Sequence, residues 1–266
     1  MRAIGLAMVI AAVLCGAAAP VGEHLREQRL VTVGGTQEVW RLVWTGKPRP
    51  FCSVDDPEMS NTCPCSGWAY GQAGKLALVR TRQGREVERM DLGPFFGDYD
   101  YPSDQVRTGD AYLQLWPESL RDIGRSADPR LASEVKRRPR TEAMHLADYD
   151  RDGAATEFLI QVGVLACGKH QFAAVGVSKA NPHLHALGSA AHPDKPLVMP
   201  RRAWEALLHS SHPAPVLIWQ CDDHGSEVRS MLEVSVRAGR IRAIDRDYAC
   251  ASGQGPPDRL VQQTEW

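Results

Sequence analysis

The chain has 266 residues, of which 31 are Lys or Arg and 32 are Asp or Glu, so its formal net charge is −1. A balance this close to neutral creates no field that would attract nucleic acid or anionic lipid, and we expect no nucleic-acid partner. Apolar residues make up 43% of the chain, which is ample for a folded core.

The first residues predict a secretory signal peptide over residues 1–18. Arg2 precedes an apolar run that is shorter than the roughly 20 residues a membrane-spanning helix needs, so we expect no transmembrane segment. Gly16 and Ala18 are small, as cleavage after Ala18 requires. The alternative is a lipoprotein anchored through Cys15. With the signal peptide removed, we expect the mature protein to be exported, either to the periplasm or out of the cell.

Period-2 hydrophobic patterns predict a mainly β protein. The predicted strands are 38–44, 75–82, 85–92, 216–221, 227–236 and 240–248. Gln83-Gly84 predicts a hairpin between the second and third strands, and the last three strands form an antiparallel meander. One short helix is predicted over 201–209, entered through Pro200. We expect antiparallel sheets in a propeller-like or sandwich-like arrangement, as a single domain over 19–266 with a possible division near 132–141.

The cysteines of the mature chain predict disulfide bonds, because their number is even and the protein is exported. They are Cys52, Cys63, Cys65, Cys167, Cys221 and Cys250. Cys221 ends one strand of the meander and Cys250 follows another, so these two should lie close and pair. Cys52 should pair with Cys63 or Cys65, and Cys167 with the other. A zinc site over 52–65 is the alternative, although no neighbouring histidine completes a familiar ligand spacing.

An acidic loop follows residue 147, with the sequence Asp148-Tyr149-Asp150-Arg151-Asp152-Gly153. If the loop curls at Gly153, the carboxylates of Asp148, Asp150 and Asp152 and the carbonyl oxygen of Ala154 surround one point. Such a set of hard oxygen ligands favours Ca²⁺, which we expect as a structural cofactor. The loop is not an EF-hand, because its twelfth position is Leu159. An Asp-Gly turn without a metal is the alternative.

This spacing resembles the Asp-x-Asp-x-Asp-Gly calcium loops of FG-GAP and VCBS repeats, which connect strands in integrin-like propellers. The resemblance is confined to the segment 141–163 and occurs once. It implies a last acidic ligand at the ninth loop position, where this chain has Thr156, with Glu157 one residue later. Thr156, directly or through water, or Glu157, through a shifted backbone, is therefore the expected last ligand. Over its full length the chain also resembles uncharacterised exported bacterial proteins, which implies no activity.

The sequence shows no catalytic signature, and we favour a protein that is not an enzyme. It contains no nucleophile elbow, phosphate loop or dinucleotide fingerprint. His183 and His185 have a spacing that can bind zinc, but Asn181-Pro182 predicts a turn there and favours an exposed pair without metal. Cys221 next to Asp222-Asp223-His224 is not a nucleophile if it forms a disulfide.

Two functions therefore remain open. The favoured one is an exported, disulfide-stabilised β protein whose calcium loop stiffens a surface that binds an unknown protein or an envelope component. The alternative is a metal-dependent hydrolase, in which the loop's ion or a second ion at His183 and His185 activates water. An open coordination position beside a pocket would indicate the hydrolase.

Overall fold

A computed structural model describes residues 22–63, 65–97, 105–165, 168–250 and 259–266. The strands are β1 (Glu23–Val33), β2 (Thr36–Thr45), β3 (Arg49–Phe51), β4 (Gly71–Gly74), β5 (Leu76–Arg82), β6 (Arg85–Asp91), β7 (Ala111–Gln114), β8 (Glu157–Leu165), β9 (Lys169–Gly176), β10 (His185–Ala186), β11 (Val198–Met199), β12 (Ala214–Trp219), β13 (Val228–Arg237), β14 (Arg240–Ala249) and β15 (Leu260–Glu265). The helices are α1 (Pro57–Ser60), α2 (Leu120–Ile123), α3 (Leu131–Val135) and α4 (Arg201–His209). The predicted signal peptide lies outside the described residues.

The strands form four antiparallel sheets, which confirms the mainly β prediction. Three sheets have four strands each: β1-β2-β5-β6, then β8 and β9 with the short β10 and β11, then β12-β13-β14-β15. The fourth is β3-β4-β7. Within the described residues these sheets do not close into a propeller. No helix in the described part of the chain is long and apolar enough to cross a membrane.

The predicted local elements are present at nearly the predicted positions. β5 and β6 form the predicted hairpin, and both turn residues, Gln83 and Gly84, have positive φ. β12, β13 and β14 form the predicted meander, which β15 extends by one strand. α4 begins directly after Pro200, and its buried face carries Ala203, Trp204 and Leu207.

β8 and β9 are buried on both faces, because a hydrophobic core lies on each side of them. Phe158 and Ile160 of β8 pack in the first core with Trp40 and other apolar residues of the β1-β2-β5-β6 sheet. Leu159, between them, packs in the second core with Trp204 of α4 and apolar residues of the meander. The alternation of side chains along a strand explains why successive residues of β8 face different cores. The one-domain interpretation over 19–266 stays a prediction.

A buried ion pair lies on the β1-β2-β5-β6 sheet. Glu38, 2% exposed, accepts hydrogen bonds from Arg80 Nε at 2.8 Å, Arg82 Nη2 at 2.6 Å and Trp40 Nε1 at 3.0 Å. Burial by itself raises the pKa of this carboxyl, but the hydrogen bonds from the two arginines and Trp40 outweigh it and lower the pKa to about 2. Glu38 is therefore a buried but well-compensated charge.

Two disulfide bonds are present among the described residues, Cys52–Cys65 and the predicted Cys221–Cys250. They indicate an oxidising, extracytoplasmic compartment. Cys63 is also disulfide-bonded, whereas its expected partner Cys167 lies outside the described residues, so that pairing stays a prediction. The bonded cysteines are not available as zinc thiolates over 52–65, nor can Cys221 act as a nucleophile.

Candidate metal centre

The acidic loop is closed by an antiparallel bridge between Ala147 and Glu157. The Ala147 amide donates to the Glu157 carbonyl oxygen at 2.8 Å, and the Glu157 amide donates back at 3.2 Å. Positive φ angles at Arg151 and Gly153 reverse the chain inside the loop, as predicted for the glycine. The bridge brings the acids at the two ends of the loop to the same place.

Backbone amides of the loop fix its first two carboxylates. The Asp152 amide donates to Asp148 Oδ1 at 2.9 Å and to Asp150 Oδ1 at 3.1 Å, and the Gly153 amide donates to Asp148 Oδ2 at 2.9 Å. An aspartate that accepts from amides a few residues later stabilises a tight turn. The Asp-x-Asp-x-Asp-Gly spacing thus curls the loop through its own hydrogen bonds.

Asp148, Asp150 and Glu157 form a compact group of carboxylates. One oxygen from each lies within 4.8 Å of the other two, and this is the sole group of three or more possible metal ligands in the described part of the chain. Glu157 is fully buried and Asp150 is 4% exposed. Glu157 is held by the Tyr149 amide, which donates to its Oε2 at 2.9 Å. The group can offer hard oxygen ligands to a cation.

The electrostatics of this group are unfavourable without a positive charge. Burial raises the pKa of Glu157 to about 8, and the nearby Asp150 adds to the shift. Burial also raises the pKa of Asp150 to about 6, with further repulsion from Asp152 and Asp148. Both shifts mean that the ionised forms are destabilised, by loss of hydration and by repulsion between like charges.

The structure arranges the other predicted ligands differently. The Asp152 carboxylate accepts hydrogen bonds from the backbone amides of Ala154 and Lys179, and lies outside the group of three. The Ala154 carbonyl oxygen accepts from the Thr156 amide at 3.0 Å. Their roles as ligands stay predictions.

The Thr156 hydroxyl lies 2.8 Å from both Glu157 Oε1 and the Val177 carbonyl oxygen. A hydroxyl carries one proton, so it can donate to only one of these two oxygens. A proton on Glu157 allows both bonds, which agrees with the raised pKa of this residue. Gly176 permits the close packing here, because a Cβ at that position would collide with the Thr156 carbonyl oxygen. Thr156 therefore connects the end of the loop to the strand β9.

Asp150 also lines a cavity of about 410 Å³, together with Asn181, His185 and Asp194. Of the three carboxylates, Asp150 is the one that an ion in this cavity can contact directly. His185 does not join the group, and its Nδ1 lies 2.8 Å from the His183 carbonyl oxygen. His183 Nδ1 lies 3.3 Å from Glu88. Neither histidine belongs to a group of three possible ligands in the described residues.

The residue between the two aspartates, Tyr149, lines a different cavity, of about 180 Å³, together with Phe172 and Arg201. Neither Tyr149 nor Arg201 is a predicted site residue. An aromatic residue inside an otherwise polar loop was the available signal for Tyr149. No sequence signal joins it to Arg201, which is distant in the chain.

Comparisons of the chain with models of protein families, with curated proteins and with solved structures found no significant match. The resemblance to FG-GAP and VCBS loops therefore has no support from outside the segment that carries it.

Proposed function

We propose that the protein works outside the cytoplasm as a binding protein whose acidic loop holds a structural Ca²⁺. One observation carries the calcium part of this proposal. Asp150 and Glu157 are buried side by side next to Asp148, and no Lys or Arg of the described residues forms an ion pair with any of the three. Buried carboxylates that lack a cationic partner are costly, and a bound cation would remove that cost.

Calcium fits the chemistry of the group better than other common ions. Carboxylate oxygens are the ligands Ca²⁺ prefers, and it accepts six to eight of them in flexible geometry. Mg²⁺ requires near-octahedral geometry, and Zn²⁺ favours nitrogen and sulfur. Asp148, Asp150 and Glu157 are the proposed ligands, and Asp152, Ala154 and Thr156 are the nearest further oxygen donors in the loop.

Thermal unfolding of the oxidised mature protein tests the proposal. At 100 times its dissociation constant a ligand adds about 2.7 kcal/mol to stability, so Ca²⁺ should raise the melting temperature relative to chelator, and Mg²⁺ much less. Asp150→Asn should abolish the calcium effect. Asp194→Asn, an exposed aspartate of the adjoining cavity, is the matched control and should retain it.

A melting temperature that is the same in Ca²⁺ and in chelator, with no calcium retained after purification, would contradict the proposal. The loop would then be an acidic turn in which Glu157 keeps a proton. Equal calcium effects in the two asparagine variants would instead show that the ion binds elsewhere.

The cavity beside Asp150 favours metal-dependent hydrolysis as a second candidate function. A water molecule bound to the ion could be reached by a substrate from this cavity. Hydrolysis of chromogenic esters or phosphate esters that requires Ca²⁺ and disappears in Asp150→Asn would support this candidate. Hydrolysis that is unchanged in that variant would exclude the loop as its catalyst.

A further inference from the structure

The cavity at Tyr149 has aromatic walls and opens beside an arginine. Its volume is about 180 Å³, and Trp68, Tyr112, Tyr149 and Phe172 contribute rings to its lining. A dry cavity of about 150 Å³ is enough to hold benzene. The space at Tyr149 therefore suits a flat organic molecule of that size carrying one small substituent.

Tyr149 brings a polar group to this cavity. The residue is 5% exposed, and its ring packs edge-to-face on Trp204 at a centroid distance of 5.6 Å. Its hydroxyl makes no hydrogen bond with any described residue and is accessible to solvent, so it can still take a partner. A ligand in the cavity would supply that partner.

Arg201 brings a positive charge to the same cavity. It is the first residue of α4, and its guanidinium carbon lies 4.5 Å from the centroid of the Phe172 ring. The side chain is exposed and forms no ion pair with a described residue. The one acidic residue of the lining, Glu142, pairs with Arg29 at 3.0 Å. The charge of Arg201 is thus available to a ligand.

We propose that this cavity binds a small organic anion. Its carboxylate accepts hydrogen bonds from the Arg201 guanidinium and the Tyr149 hydroxyl, and its flat apolar body packs against Phe172. Guanidinium groups bind carboxylates through paired hydrogen bonds, and aromatic walls provide the apolar contact. The inference rests on the proposed binding role and names its ligand class, but the contacts themselves need no metal ion.

Isothermal titration calorimetry on the oxidised mature protein, with Ca²⁺ present, tests this proposal. The probes are acetate, benzoate, phenylacetate and the neutral analogue benzamide. Benzoate or phenylacetate should bind more tightly than acetate and benzamide. Arg201→Gln should weaken that binding at least tenfold, because it removes a charged hydrogen-bond donor. Arg202→Gln changes the next residue of the same helix, which lines a neighbouring cavity but not this one, and should have little effect.

Tyr149→Phe keeps the ring and removes only the hydroxyl, so it should fold and weaken binding by about threefold to tenfold. Three results would overturn the proposal: no binding by any carboxylate, equal binding of benzamide, or equal losses in the Arg201 and Arg202 variants. The melts with Ca²⁺ and chelator are read separately. A calcium effect without carboxylate binding defeats only this inference, and carboxylate binding without a calcium effect defeats only the structural calcium.

Discussion

Two buried glutamates of this protein have pKa values that are shifted in opposite directions. Glu38 lies between two arginines and has its pKa lowered to about 2. Glu157 lies beside Asp150 and Asp148 and has its pKa raised to about 8. Burial destabilises the ionised form in both places, so the difference comes from their neighbours.

The acidic loop lacks the positive charge that surrounds Glu38. At Glu38 the protein supplies positive charge from its own side chains, and the carboxylate stays ionised. At Glu157 the described residues supply hydrogen bonds from Tyr149 and Thr156 but no positive charge. A proton or a bound cation can fill that role, and calcium titration distinguishes the two.

The largest expected loss of stability is at Glu38, whose charge is balanced by two arginines. Glu38→Gln leaves Arg80, which is 5% exposed, with Glu88 at 2.6 Å as its remaining carboxylate partner, and should lower the free energy of unfolding by about 3 kcal/mol. Urea unfolding measures this loss. Glu86→Gln is the control, because Glu86 pairs with Arg89 at the surface, and it should cost less than about 1 kcal/mol. Equal losses would mean that burial adds nothing to the Glu38 pair.

Lowering the pH should weaken the same ion pair in the wild-type protein and so reduce its free energy of unfolding. The folded-state pKa of Glu38 lies below its ordinary value of 4.5, so its contribution to stability is complete above pH 4.5 and is lost as the pH falls toward 2. A shift of this size corresponds to about 3 kcal/mol. Unfolding free energies measured across this range should fall more steeply for wild type than for Glu38→Gln. Parallel slopes would contradict the lowered pKa.

Unlike Glu38→Gln, Glu157→Gln should cost little stability unless calcium is present. In chelator it should change the free energy of unfolding by less than about 1 kcal/mol, since an amide removes repulsion and can still accept from the Tyr149 amide. In Ca²⁺ at 100 times the wild-type dissociation constant, the variant should lack the calcium stabilisation of about 2.7 kcal/mol that the wild-type protein gains. Melts in the two buffers measure both numbers. A large loss in chelator would show that the ionised carboxylate has a partner already.

The smallest expected effect is at Asp152. Asp152→Asn keeps an oxygen that can accept from the amides of Ala154 and Lys179, so calcium stabilisation should change by less than about 1 kcal/mol. Thermal melts in Ca²⁺ and chelator compare it with Asp150→Asn. If both variants lose the calcium effect, the Asp152 carboxylate is also a ligand.

Local patterns predicted the elements whose signals lie within a few residues. The turn at Gln83-Gly84, the helix after Pro200 and the meander have such signals, and the structure contains all three. β15 escaped prediction because its side chains are all exposed and show no apolar alternation. β4 is four residues long and contains two glycines, so only its partners β3 and β7 make it a strand.

The candidate site was partly predictable for the same reason. The acids of the loop are close in sequence, and the spacing predicted that Asp148 and Asp150 converge. The resemblance left Thr156 and Glu157 open as the last acidic position, and only the bridge to Ala147 brings the Glu157 carboxylate to the other two. Arg80 and Glu38 are 42 positions apart, and only the pairing of β2 with β5 brings them together.

The position of β8 between the two cores has a consequence for folding kinetics. Neither core can be completed before β8 and β9 have paired, because each strand supplies residues to both. The two cores should therefore fold and unfold in one cooperative step. Glu157 is the first residue of β8, so a cation bound to it acts on this shared strand. Its release should speed unfolding of the whole molecule rather than loosen a surface loop alone.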